Sequence, residues 1–242
     1  MKLRMLSAIF IASQLLGQTL QKGDSYHYNV YFEDLIKLGE ANLSVIGEER
    51  MGGFETFHLK FSIRTSSLGD KIYKIRNSVE SWIKKEDYTV LKQIKKSREK
   101  NFKRDFTTEV LENKAISNSK EFLVPDKIFD PYSLILTLQN LYNISIPDPD
   151  KGLINQEKKN EIYFDILDGS KIRKLSLING GVDIIRTPLG KFDAVTFKPK
   201  NPLKNGDMEI SYGYYENRLV PIKISLALNS GVVVMKIKRV ER

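Results

Sequence analysis

Apolar residues recur at every second position through much of the chain. Tyr26, Tyr28, Val30 and Phe32 alternate with His27, Asn29, Tyr31 and Glu33. Ala41, Leu43 and Val45 alternate with Glu40, Asn42 and Ser44, and Phe57, Leu59, Phe61 and Ile63 with His58, Lys60, Ser62 and Arg64. Successive side chains of a strand point to opposite faces, so this pattern predicts antiparallel strands buried on one face. Met51-Gly52-Gly53 and Ser67-Leu68-Gly69-Asp70 read as turns on either side of the third strand. Ile72 to Ile83, Val90 to Lys96 and Asn101 to Leu111 read as longer, wetter strands. In the last of these Phe102, Phe106 and Val110 suit a strand or a helix, and the β-branched Thr107, Thr108 and Val110 favour the strand.

The C-terminal half reads as a meander. Glu161 to Leu167, Lys171 to Ile178, Val182 to Arg186, Lys191 to Lys198, Met208 to Tyr215, Val220 to Leu228 and Val232 to Val240 are separated by turn signals such as Asp168-Gly169, Asn179-Gly180-Gly181 and Asn205-Gly206. Turns at roughly every 8–12 residues mark an all-β chain. One segment departs from this pattern. Asp130 is placed as an N-cap, Pro131 suits the first helical position, and Leu134, Ile135, Leu138 and Leu141 share a face. A helix is predicted over 130–143, followed by a loop over 144–158 whose Pro147-Asp148-Pro149-Asp150 cannot pair as a central strand. The expected fold is all-β: a strongly curved antiparallel sheet, an open β-barrel or a β-roll, with one short helix as plug or lid, in a single β-rich domain over 20–242.

Residues 1–19 follow another rule. Lys2 and Arg4 precede a short apolar run from Met5 to Leu16, then the small Gly17 and Thr19. That is the pattern of a secretory signal peptide, and the run is shorter than the roughly 20 residues a membrane-spanning helix needs. The other reading is a buried amphipathic N-terminal helix. No transmembrane span is expected in the mature chain, and export to the periplasm or the periplasmic face of the outer membrane is. With 41% hydrophobic and 29% charged residues, the chain is too apolar to be disordered. The absence of cysteine excludes disulfides, thiolate catalysis, iron–sulfur clusters and cysteine-ligated zinc. For the same reason no cysteine-linked lipid anchor is expected.

The net charge is +9, falling to +7 without Lys2 and Arg4. Most of it lies between Lys84 and Arg104. Lys92, Lys95, Lys96, Arg98, Lys100, Lys103 and Arg104 are candidates for contact with an anionic surface; the competing reading is an edge hairpin whose lysines block sheet-to-sheet aggregation. In an exported protein the partners expected of such a surface are lipid, lipopolysaccharide or another envelope protein, not nucleic acid. Tyr163, Tyr212, Tyr214 and Tyr215 are candidates for lining a ligand site, against the ordinary reading as core and cross-strand partners. His27 and His58 read as surface residues. Asp165 with Asp168, and Asp148 with Asp150, read as turn and loop residues before they read as an acid pair. No nucleophile elbow, Walker loop or dinucleotide fingerprint is present, so no catalytic residue, metal site or cofactor is predicted.

Three ordered features carry a family resemblance. They are Phe129-Asp130-Pro131-Tyr132-Ser133-Leu134, then the run from Ile185 through Thr187-Pro188-Leu189-Gly190 to Phe197-Lys198-Pro199, then Arg218-Leu219-Val220-Pro221-Ile222-Lys223-Ile224 with Gly231-Val232-Val233. With Tyr28 to Leu43 they make the chain resemble the bacterial family of unknown function numbered 3108 over nearly its whole mature length. The resemblance implies an exported envelope protein, a curled sheet or open barrel, and no assigned activity. The implied fold is also broadly similar to that of periplasmic lipoprotein carriers, an analogy that cannot establish function. The basic load from Lys84 to Arg104 departs from the family pattern. The expected function is a non-enzymatic envelope protein that binds an amphiphilic or lipid-like ligand or acts as a scaffold. The alternative is a hydrolase acting on envelope polysaccharide.

Overall fold

A computed structural model describes residues 20–141, 161–228 and 231–242, without the side chain of residue 139. The signal-peptide reading of 1–19, the helix end at 142–143, the loop over 144–158 and the Asp148–Asp150 pair lie outside the described residues. Among those described, the strands are β1 (Ser25–Phe32), β2 (Ile36–Met51), β3 (Phe54–Thr65), β4 (Arg76–Lys84), β5 (Val90–Glu99), β6 (Phe102–Leu111), β7 (Lys114–Ser117), β8 (Lys120–Leu123), β9 (Ile162–Asp168), β10 (Lys171–Thr187), β11 (Gly190–Lys198), β12 (Met208–Tyr215), β13 (Arg218–Leu228) and β14 (Gly231–Glu241). The helices are α1 (Ser67–Tyr73) and α2 (Pro131–Leu141).

All the strands form one 14-stranded sheet with the order β8-β7-β6-β5-β4-β3-β2-β1-β14-β13-β12-β11-β10-β9. Each pair is antiparallel, and β1 joins the two halves by pairing with β2 and β14. The alternation read from the sequence is the burial pattern observed. Tyr26, Tyr28, Val30, Leu43, Val45, Phe57, Leu59 and Phe61 are buried and pack into one apolar core with Ile210, Tyr212, Ile222, Ile224, Met235 and Ile237.

The sheet curls without closing into a continuous ladder. Its edge strands β8 and β9 do not pair. Instead residues 128–129 splice β9 to the start of β5. The Val90 amide donates to the Ile128 carbonyl at 2.9 Å, the Phe129 amide to Asp165 at 2.9 Å, and the Leu167 amide back to Phe129 at 2.7 Å. Gln93 completes the seam. Its Nε2 donates to the Leu167 carbonyl at 3.3 Å and its Oε1 accepts from the Gly169 amide at 2.9 Å, while the Thr108 hydroxyl donates to the Gly169 carbonyl at 2.8 Å. Gln93 and Thr108 are buried, and these bonds satisfy polar groups that an apolar core would penalise. Strands β6 to β8 run on past the seam.

The predicted helix is α2, and it fills the interior. Leu134, Ile135, Leu136 and Leu138 are fully buried, so the helix is enclosed on more than one face. Asp130 caps it, accepting from the Tyr132 amide at 2.8 Å and the Ser133 amide at 3.3 Å. Complete burial pushes the Asp130 carboxyl up, against the opposing hydrogen bond from Ser81 and those of the cap. The Tyr212 hydroxyl on β12 donates to the Ile135 carbonyl at 2.8 Å and ties the plug to the wall.

Three expectations are corrected. The structure has two helices, not one: 67–73, read as a turn and the start of a strand, form α1, and β4 begins only at Arg76. Ser66 caps α1 by accepting from the Gly69 amide at 3.1 Å and donating to the Leu38 carbonyl at 3.0 Å. A Cβ on Gly69 would lie 2.1 Å from that carbonyl, so only glycine lets α1 sit so close to β2. Asn179-Gly180-Gly181 is not a turn between two strands. It forms a bulge within β10, whose first part pairs with β9 and whose second part pairs with β11. Strands β7 and β8 were not foreseen.

Candidate functional site

In an antiparallel meander, alternate connections fall at the same end. The β1–β2 turn, α1, and the β5–β6, β9–β10 and β11–β12 connections therefore gather at one mouth. A cavity of about 350 Å³ opens there. Phe61 and Ile63 of β3, Ile166 of β9, Leu175 of β10, Leu226 of β13 and Val233 of β14 form apolar walls, and the first turn of α2, Pro131 and Tyr132, forms the floor. The Tyr132 ring stacks on Phe61, with centroids 4.1 Å apart and planes at 13°. Burial, followed by the charges of Asp168, Asp130 and Glu99, pushes the Tyr132 phenol well above its usual range. It therefore stays protonated and can donate a hydrogen bond to a ligand.

The rim is charged. Lys95 projects from the face of β5 that also carries Gln93, and it pairs with Asp168. Arg173 lies 3.4 Å from the second oxygen of Asp168, and Lys174 lines the same opening. Around the opening Lys95, Arg173 and Lys174 stand among Asp168, Glu99 and Asp207, so the rim carries both signs and its formal charges balance. Glu99 is turned to the Asn77 amide at 2.6 Å and the Tyr73 hydroxyl at 3.2 Å. The Asn205-Gly206 turn closes another side, its Gly206 amide bonded to the Ala227 carbonyl at 2.8 Å. A smaller hollow of about 120 Å³ adjoins the mouth and shares Ile75, Leu228 and Val233 with it; Phe32, Leu38, Ile72, Tyr73 and Lys100 complete it.

The residues singled out from the sequence scatter over this frame. Of the basic run, Lys95 alone lines the cavity. Lys92 pairs with Glu109 at 2.7 Å, and Arg98 pairs with Asp105, its second nitrogen 2.8 Å away. Lys96 and Lys103 are exposed on the hairpin. Lys100 lies over the Tyr73 ring at 4.7 Å and Arg104 over Phe102 at 4.9 Å. The tyrosines are not brought together at the cavity. Tyr163 and Tyr214 are exposed, Tyr215 is half-buried, and Tyr212 is fully buried against α2. Asp168 faces the cavity, whereas Asp165 contributes its carbonyl to the seam. His27 lies 2.8 Å from Glu241, and His58 stacks on Trp82 at 3.9 Å, with Glu49 and Glu80 at 3.4 and 3.3 Å. Among the described residues no cluster of His, Asp and Glu could hold a metal ion, and no helix is long and apolar enough to cross a membrane.

Fold and site together define an open, curled, β-barrel-like protein with an internal helix and an apolar mouth under a charged rim. The chain belongs to the family described as "Protein of unknown function (DUF3108)", which it matches over residues 27–238. It shares its fold with a β-barrel-like protein of the domain-of-unknown-function family DUF1849 from Brucella abortus. That match has a TM-score of 0.54 at 11% identity and covers 92% of this chain and 98% of that one. Two further structures align over similar lengths. A "putative lipoprotein" from Parabacteroides distasonis gives a TM-score of 0.33 at 11% identity, covering 92% of this chain and 96% of that one. A "putative exported protein" with a YmcC-like fold from Bacteroides fragilis gives 0.35 at 9% identity, covering 93% and 98%. Those two scores are too low to carry a fold assignment. No curated protein matches the chain.

Proposed function

We propose that the chain is exported as one β-rich domain after loss of residues 1–19, and that it is a non-enzymatic binder of an amphiphile. The apolar tail enters the mouth cavity and the anionic head rests on Lys95, Arg173 and Lys174. The observation that carries the reading is the cavity of about 350 Å³, with its apolar walls and a rim where Lys95, Arg173 and Lys174 stand among Asp168, Glu99 and Asp207. Its volume falls in the range of roughly 300–1,000 Å³ typical of small-molecule sites. About eight methylenes buried at roughly 0.8 kcal/mol each set a limit of about twenty micromolar affinity for the tail alone. The rim adds preference for an anionic head, and the Tyr132 phenol adds a donor at the floor. The leader pattern Lys2, Arg4 and Met5 to Leu16 supports export.

The test is displacement of a fluorescent fatty acid by dodecanoate and by dodecanol. Wild type is expected to bind both, dodecanoate more tightly. Leu226→Trp fills the cavity and should weaken both by on the order of tenfold or more. Lys95→Met should narrow the difference between them. Equal binding by Leu226→Trp and wild type would sink the reading.

A further inference from the structure

We infer that the mouth rim is a docking surface for an anionic lipid bilayer, placing the cavity entrance against the membrane. The purpose of this docking rests on the amphiphile-binding reading; its geometry does not.

Large apolar side chains stand exposed around the rim among the described residues. Leu35 in the β1–β2 turn is 83% exposed, and Leu68 on α1 is 71% exposed. Ile36, Ile72 and Phe102 are also exposed. They come from three connections that the structure holds together at this end. The Ser66 amide before α1 donates to the Leu38 carbonyl at 2.8 Å, and the Lys100 amide of the β5–β6 tip donates to the Lys74 carbonyl at 3.0 Å. Ile72 and Lys100 border the small hollow beside the cavity, so the patch is continuous with the mouth. Isolated exposed apolar residues are ordinary; several large ones grouped around a cavity entrance mark an interaction surface.

The charge pattern selects the partner. Lys71 of α1, Lys74 just after it, Lys100, Lys103 and Arg104 of the hairpin, and Lys37 beside Ile36 are exposed on the same rim. None of them makes a salt bridge among the described residues. The neighbouring carboxylates are turned elsewhere: Asp70 to Arg76, Asp34 to Lys236, Glu33 to the Val232 amide and Glu99 to Asn77. Exposed leucine, isoleucine and phenylalanine ringed by lysines fit the interface of an anionic bilayer, where apolar groups enter the acyl boundary and long cationic side chains reach the phosphates. A protein partner of ordinary composition would not need this excess of cations.

The test is co-sedimentation of the protein with vesicles of phosphatidylcholine, with and without phosphatidylglycerol, at low and high salt. Wild type should bind the anionic vesicles and lose binding as salt rises. Leu35→Glu lies in a turn and removes no packed group; it should weaken vesicle binding on the order of tenfold. The pair Lys100→Glu and Lys103→Glu should abolish the preference for anionic vesicles. Both variants should bind dodecanoate as wild type does, which separates loss of docking from loss of the cavity. If wild type binds no dodecanoate yet the variants lose the vesicles, docking stands and the amphiphile reading falls. If wild type leaves anionic vesicles in the supernatant, or if both variants sediment with them like wild type, the inference is overturned and the patch becomes a candidate protein interface.

Discussion

The two ends of the curled sheet treat charge in different ways. At the end away from the mouth, β1 begins and β14 finishes, and a buried ion pair clamps them to the β12–β13 turn. The Asp24 carboxylate is 1% exposed, and both its oxygens accept from Arg218, at 3.0 and 3.1 Å. Arg242 approaches it at 3.9 Å, and the Gln21 amide donates to it at 3.0 Å. Burial and the Asp24 charge push the neighbouring Tyr26 phenol to about 12, and the Tyr28 hydroxyl donates to the Pro221 carbonyl at 2.9 Å. The buried carboxylate at that end thus has its partners within the fold. At the mouth the apolar groups are left uncovered and the cations outnumber the partners offered to them. One end is fastened by an ion pair held within the fold, and the other opens to a cavity.

The largest effect should come from breaking the seal. Arg218→Met leaves a buried carboxylate without its clamp, and removal of one member of a buried pair costs about 3–5 kcal/mol. Urea denaturation should show that loss, and adding Asp24→Asn should recover much of it, because the stranded charge is the main penalty. A smaller effect should follow from disturbing the open end. Gly69→Ala forces α1 away from the Leu38 carbonyl, at about 1–3 kcal/mol, with faster hydrogen exchange in α1 and little change near Asp24. The smallest effect should come from acid. The Arg76 guanidinium, and then the Thr65 hydroxyl, hold the Asp70 carboxyl below its ordinary value of 3.8. Its contribution is therefore complete above 3.8 and lost as pH falls through the lower folded value. Exchange at α1 should rise over that acid window, and Asp70→Asn should remove the pH step.

The walls were legible in the sequence, and the devices that shape the mouth were not. Strands such as β1 and β3 alternate cleanly because one face meets the core. Helix α2 announced itself through Asp130-Pro131 and its apolar stripe. Helix α1 gave no such signal. It has 7 residues, its large apolar side chains Leu68 and Ile72 face outward, and its buried position is a glycine. Strands β7 and β8, of 4 residues each, are too short to show a period. Gly180-Gly181 serves a bulge as readily as a turn, and hydropathy does not separate the two. The seam was hidden because it is polar: Gln93 and Thr108 face inward to meet carbonyls and amides far away in the chain. A trace of the site was nonetheless present. Period two from a buried Gln93 puts Lys95 on the inner face, apart from Lys92, Lys96 and Arg98. Its partner Asp168 lies across the seam, a pairing that only the curl creates.

The pairing of β1 with β14, from Ser25 with Glu241 to Phe32 with Val233, sets the order in which this protein can be built. Loop closure over such a separation is slow, and contacts of this range govern folding rate more than the local hairpins do. Until the last described strand arrives, β1 and β13 each present an open edge and α2 has only part of its cage. The hairpins can form as they emerge, but the rolled sheet becomes self-supporting only once β14 is inserted between its two halves. A chain with this strand order stays unlocked, both of its inner edges open, until the last described strand is delivered.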